Sequence, residues 1–306
     1  MKNKVQATIN KYNLIESGDK IVLGVSGGPD SISMLNIFNE IKNELNFEII
    51  VAHINHMIRK EAIDDEQYVS DYCKKNNIEF YAKRIDVQQI VKDKKIGTEE
   101  AGRKVRYEFF EEVLQNTSAN KIAIAHNKND KIETIIMHLL RGSGLSGLKG
   151  IEPIRNNKYI RPLIECEREE IEAYCEENEL NPCIDKTNFE NEYTRNKIRN
   201  IVIPYIKNEF NPNVVETIER LSQVATEESN YIDLQAQKIY QRLKIETKEE
   251  QILLNLKEFN QQETVIKNRI ILLTIKELMG TSQGIEKVHI DDIIKLCNNN
   301  VGNKFL

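Results

Sequence analysis

Ile21-Val22-Leu23-Gly24-Val25-Ser26-Gly27-Gly28-Pro29-Asp30-Ser31 is the stretch on which the fold turns. Its first five residues form a continuous apolar run, as in a parallel strand covered on both faces. The run stops at a double glycine and a proline, and Ile32, Leu35, Ile37 and Phe38 then recur near helical spacing. This pattern predicts a strand, a tight turn and a helix.

Working outward, the alternation repeats. Glu48 to His53 is a second strand, followed by a polar helix around Asp64 to Lys75. Phe80 to Ile85 is a third strand and Gly97 to Leu114 a long helix. Lys121 to His126 is another buried-type strand, leading into a helix from Ile132 to Leu140. Such alternation predicts an α/β fold: a doubly wound, mostly parallel sheet with right-handed crossovers and helices on both faces. Ligands of these sheets bind beyond the carboxyl ends of the strands. Here those ends fall at Ser26-Gly27-Gly28, at His53 and at His126-Asn127.

Beyond about Pro204 the character changes. Val214 to Arg242 and Gln262 to Met279 have amphipathic helical periodicity and few strand signals, and Asn211-Pro212-Asn213 suits a boundary or a helix start. A length of 306 residues exceeds a comfortable single domain. The expected division is 1–208 for the α/β domain and 209–306 for a smaller, mainly helical one.

The composition is 40% hydrophobic and 30% charged, ordinary for a globular chain. No stretch approaches the roughly 20 apolar residues that span a bilayer, and the start lacks a signal-peptide apolar region. Five cysteines without a Cys-x-x-Cys pair argue against a disulfide framework or compact zinc site, and they read as small buried hydrophobes. The expected setting is cytoplasmic and reducing, with no membrane partner. A net charge of -5 gives no global attraction to nucleic acid, so an RNA partner must meet a local basic patch.

The chemistry concentrates at the first turn. Backbone N–H groups from Ser26 to Ser31 can converge on an anion at a helix N-terminus. Two glycines, Gly27 and Gly28, allow close approach, Ser26 and Ser31 add hydroxyls, and Pro29 suits the first helical position. Asp30 is the odd member. A carboxylate beside a phosphate site repels the ligand unless a divalent cation lies between them, so Asp30 implies Mg²⁺. Neither G-x-x-x-x-G-K-[ST] nor G-x-G-x-x-G is present, which argues against an ordinary γ-phosphate NTPase and a dinucleotide dehydrogenase.

A second constellation runs from His126 to Thr134. Asp130 and Glu133 project from one face of a first helical turn, where capping is the plain alternative. The glycine-rich stretch between Arg141 and Lys149 holds two cations and no acid, suited to a phosphate backbone. From Tyr193 to Asn208, Arg195, Lys197, Arg199 and Lys207 form a basic run that could track RNA, or a merely solvated helix face. On spacing alone His53, His56 and His126 are ordinary core or supporting side chains.

Ser26-Gly27-Gly28 with Asp30-Ser31 after a buried strand resembles the pyrophosphate loop of the N-type ATP pyrophosphatases. With Val51 to His56 and Arg59, Glu99-Glu100-Ala101 with Arg103, Arg106 and Tyr107, the His126 to Thr134 segment, Arg141 to Leu148, Arg161-Pro162-Leu163, Asp185 to Asn188, and Arg195-Asn196 with Arg199, the chain resembles the tRNA(Ile)-lysidine synthetases. The resemblance covers roughly the first two-thirds of the chain. One departure stands out: where that family commonly has His-His-x-Asp-Asp-Gln, this chain has His126, Asn127, Asn129, Asp130 and Lys131. Many members also continue into a further C-terminal domain, so a shortened form is expected here.

What the resemblance implies is a ligase that adenylates the wobble cytidine of an isoleucine tRNA with a CAU anticodon and joins it to free lysine. ATP would lie on Ser26, Gly27, Gly28, Pro29, Asp30, Ser31 and His53, with Mg²⁺ on Asp30 and Asp130. Catalysis would involve Asp30, Asp130, Glu133, Arg103 and Arg106, with Glu133 receiving the lysine charge or helping the amine lose a proton, and Arg199 also stabilising phosphate. Arg141, Lys149, Arg195, Lys197 and Arg199 would contact tRNA, aided by the helical domain. A homodimer stays open. So do an amide-forming synthetase, a tRNA thiolase and a non-catalytic nucleotide- or RNA-binding module.

Overall fold

The computed structural model describes residues 1–57, 62–183, 193–282 and 284–298. Arg59, Asp185 to Asn188 and the last residues of the chain lie outside this set. The chain divides into two compact units, Met1–Glu219 and Arg220–Leu306. The division falls inside a long helix, past the expected 208/209 boundary.

The first unit is built on a six-stranded sheet of order β3-β2-β1-β4-β6-β5. Its strands are β1 (Lys20–Gly24), β2 (Glu48–Asn55), β3 (Glu79–Arg84), β4 (Lys121–Ile124), β5 (Ile154–Arg155) and β6 (Tyr159–Ile160). All neighbours are parallel except β5 and β6. The sheet is therefore mostly parallel, as expected, with an antiparallel edge. β1 lies between β2 and β4, with Leu23 opposite both Val51 and Ala123.

This central position explains the unbroken apolar run. Ile21 and Leu23 join a core with Val5 and Ile9 of α1 (Lys2–Tyr12), with α2 (Pro29–Ile41) and with Ile171 of α8 (Arg168–Glu177). Val22 faces the other way, toward Phe109, Phe110 and Val113 of α5 (Thr98–Asn116). Gly24 shares that second face, and a Cβ there would collide with the Phe110 ring. α3 (Ala62–Lys75) and α4 (Val87–Lys94) complete the first half of the domain. After β4 come α6 (Lys128–Leu140), the one-turn α7 (Leu145–Leu148), β5, β6 and α8.

Next lie α9 (Thr194–Lys197), a π-helical segment (Ile198–Val202) and α10 (Ile203–Glu209). The 30-residue α11 (Val214–Leu243) follows. Beyond it the second unit holds β7 (Lys244–Lys248) and β8 (Gln251–Leu254), α12 (Leu256–Asn260), α13 (Thr264–Met279) and α14 (Lys287–Asn298). Its core is Tyr240, Leu243, Phe259, Ile270, Ile271 and Ile290. The unit is mainly helical, as expected, with the antiparallel β7–β8 pair as an addition. No helix among the described residues is long and apolar enough to cross a membrane.

Candidate active site

The turn after β1 is shaped by Gly27 and Ser31. Gly27 has φ +94°, a left-handed conformation costly for residues with a Cβ. The Ser31 hydroxyl accepts the N–H groups of Ser26 (3.1 Å) and Gly27 (3.2 Å) and donates to the Gly28 carbonyl (3.0 Å). Gly28 is the N-cap of α2 and Pro29 stands in its first turn. Asp30 follows on that turn, at the carboxyl edge of the sheet.

The neighbouring strand supplies the other half. Asn127 caps α6 by accepting the Asp130 N–H at 2.9 Å, while its own N–H donates to Asp130 Oδ2 at 3.2 Å. The same Asn127 side chain donates from Nδ2 to Asp30 Oδ1 at 2.8 Å. Two acids from adjacent strand ends are thereby linked through one amide. Burial, then the charge of Asp130, pushes the Asp30 carboxyl up to about 6 against the opposing pull of Asn127, Arg168 and Arg199.

Asp130 and Glu133 face a set of arginines. Glu133 is only 1% exposed. Arg199 donates from Nε to Glu133 Oε1 at 2.6 Å and from Nη2 to Oε2 at 2.9 Å, and reaches Asp130 Oδ1 at 3.2 Å. Arg195 lies 3.5 Å and Arg168 3.7 Å from the same Glu133 carboxylate. Arg195 also donates to Thr134 Oγ1 at 2.7 Å. Glu133, with Asp130 and Asp30, outweighs desolvation and holds the Arg199 pKa above its ordinary value.

The expected residues thus separate. Arg195 and Arg199 turn inward onto α6, whereas Lys197 of the same run is exposed. Arg141 is exposed at the end of α6. Lys149 follows α7, so the glycine-rich stretch contains a helical turn, tied by the His138 ring to the Gly147 carbonyl at 2.9 Å. Arg103 and Arg106 lie exposed on α5, and Arg103 stands 5.0 Å from the Tyr107 ring centroid. Arg155 lies against that ring and the Tyr159 ring as well.

His53 is buried, with Nδ1 2.9 Å from the Val25 carbonyl, so its contact is with the start of the loop. His126 receives the Arg161 Nε–H at Nδ1, 3.2 Å away. Burial holds its imidazole well below the ordinary range, and Arg161, Arg103 and Arg195 add to that effect against the pull of Asp130. Cys73, Cys166 and Cys175 are buried and unpaired by disulfides, with burial pushing the thiols of Cys73 and Cys166 up to about 12.

Three participants lay beyond the sequence expectations: Asn127 as a bridge, Arg168 as a partner of the acids, and Arg161 as the companion of His126. Only Asn127 carries a local signal, the capping pattern it forms with Asp130.

No group of three or more His, Cys, Asp or Glu side chains among the described residues is arranged to hold a metal. Asp30 and Asp130 nevertheless fit Mg²⁺, which takes one or two carboxylates and completes its shell with phosphate and water. Both offer hard oxygen donors, and their mutual repulsion at Asp30 is the condition a cation relieves.

Residues 1–206 match the PP-loop domain family. The tRNA(Ile)-lysidine synthase of Clostridioides difficile is 46% identical over 305 residues, covering 99% of this chain and 66% of the relative. That of Petrotoga mobilis is 42% identical over 221 residues, covering 72% of this chain and 70% of the relative. The chain belongs to the tRNA(Ile)-lysidine synthase family of PP-loop proteins. It spans 64–66% of the length of the clostridial family members it matches over 98–99% of its own. The U34-tRNA thiolase NcsA from Methanococcus maripaludis, solved with its [4Fe-4S] cluster, shares the fold. It superposes with a TM-score of 0.59 at 22% identity, over 72% of this chain and 77% of that one.

Proposed function

We propose that the chain forms lysidine on an isoleucine tRNA with a CAU anticodon, using ATP and free lysine. The observation that carries this reading is the juxtaposition of the glycine turn after β1 with the acid–arginine cluster at the start of α6. Cytosine O2 attacks the α-phosphorus of ATP and the bond to pyrophosphate breaks. The lysine amine then attacks C2, AMP leaves, and the amine gives up its protons.

Phosphoryl transfer depends on alignment and charge more than on covalent help from the protein. The loop from Ser26 to Ser31 receives the pyrophosphate, with backbone N–H groups at the N-terminus of α2 directed at it. Asp30 and Asp130 would hold Mg²⁺, which supplies neutralisation of phosphate charge. Arg199 and Arg168 supply fixed positive charge beside them. Glu133 acts through Arg199: its carboxylate is occupied by guanidinium groups, which favours an anchoring role over the expected one of receiving lysine. His53 supports the loop through Val25. Arg103 and Arg106, on the exposed side of α5, would meet substrate phosphates, and Arg141, Lys149 and Lys197 the tRNA backbone. An anticodon loop is single-stranded, so its base can leave the stack at small cost.

Incubation with ATP, labelled lysine and a panel of tRNA transcripts tests this. Label in the CAU-anticodon isoleucine tRNA, with AMP and pyrophosphate released, is the expected result. AMP release that needs no RNA would instead support a small-molecule synthetase.

A further inference from the structure

Asn127 is fully buried and uses its amide in two directions. Oδ1 accepts from the Asp130 N–H at 2.9 Å and Nδ2 donates to Asp30 Oδ1 at 2.8 Å. These bonds leave the amide a single orientation. A helix cap requires only an acceptor, and serine or aspartate serves as well. The donor is therefore surplus to capping, and it reaches a carboxylate from a different strand–helix turn. Asn129, the other amide in the segment, is committed elsewhere: its Oδ1 accepts the Arg168 N–H at 3.0 Å.

Resting on the lysidine-forming reading, we infer that Asn127 is a positioning residue that sets the placement of Asp30 against Asp130 for the divalent cation. Two like charges facing one another drift apart unless something neutral and hydrogen-bonded lies between them. An amide with one lone pair toward the helix and one N–H toward Asp30 meets that need without adding charge. It also gives the departure from the His-His-x-Asp-Asp-Gln pattern a physical sense. An imidazole likewise offers one acceptor and one donor nitrogen, so asparagine can replace the second histidine in a bridging role.

Asn127→Ser retains a capping acceptor and removes the donor to Asp30. The test is Mn²⁺ binding in the presence of ATP, followed by the paramagnetic signal of free Mn²⁺, with thermal melting measured in parallel. The variant is expected to melt close to the parent and to bind Mn²⁺ roughly tenfold more weakly, the lower end for loss of a residue supporting a metal ligand. In an Asp30→Asn background the same change should produce no further loss, because the two residues act as one unit. Unchanged Mn²⁺ affinity in Asn127→Ser, or an added tenfold loss in the double variant, overturns the inference. The Mn²⁺ comparison needs neither tRNA nor lysine, so it is decided separately from the lysine-transfer assay.

Discussion

Arg199 grips Glu133 with two parallel hydrogen bonds, Nε to Oε1 at 2.6 Å and Nη2 to Oε2 at 2.9 Å, and the carboxylate is 1% exposed. Arg195 and Arg168 approach the same group at 3.5 and 3.7 Å. One buried acid therefore organises three cations drawn from two distant segments of chain.

This asymmetry predicts unequal costs. Glu133→Ala strands several guanidiniums and should destabilise the protein by about 3–5 kcal/mol. Arg199→Ala leaves Glu133 with two other arginines and should cost less, about 1–3 kcal/mol. Urea denaturation of both variants measures the difference. An arginine variant that proved the less stable of the two would remove the anchoring role of Glu133.

Asp30 gives a pH dependence of definite sign. Its carboxyl ionises near the ordinary 3.8 when unfolded and at about 6 in the fold, raised by burial and by Asp130. Between those values folding takes up a proton. The stabilisation it contributes is complete below about pH 4 and is lost as pH climbs through 6. Asp30→Asn, which needs no proton, should melt higher than the parent above pH 6 without divalent cations, with the gap closing toward pH 4. Melting curves across that range check it, and a gap that widened on acidification would contradict the assignment. The same variant should lose lysine transfer, since stability is surrendered at this position for function.

Gly24 is forced by its neighbour and not by its backbone conformation. A Cβ there enters the space of the Phe110 ring. Gly24→Ala should destabilise by about 1–3 kcal/mol through overpacking. Phe110→Leu in the same chain should recover part of that loss, so the two changes are not additive. Chemical denaturation of the single and double variants gives the coupling; strict additivity would place the strain elsewhere.

The sheet was legible because β1, β2 and β4 are covered on both faces, which makes an unbroken apolar run diagnostic. β5 and β6, two residues each, are too short for any periodicity to declare itself. The hairpin Lys244–Lys248 with Gln251–Leu254 is masked by its charge, its exposed faces carrying Glu246, Lys248 and Gln251. α1 could have been read from Val5, Thr8 and Ile9, which fall at helical spacing and are buried.

At the site, Asp30 and Asp130 stood out because each sits in a first helical turn next to a strand end, with Glu133 one turn further along α6. Their partners did not. The run holding Arg195 and Arg199 looks like an open basic face because it lacks acids of its own, and the acid that turns it inward, Glu133, lies more than sixty residues upstream. Local pattern shows where charge is available; only the tertiary fold shows where it is satisfied.

The strand order has a consequence for assembly of the protein itself. Asp30 and Asp130 occupy adjacent strand ends, yet β1 and β4 are separated in the chain by β2, β3 and four helices. Closing a loop of that length is an entropic cost met late, after the more local βαβ contacts have formed. A nascent chain can therefore complete β1, β2 and β3 before Asp30 and Asp130 meet, and the proposed ATP site would exist only in molecules in which β4 has already docked.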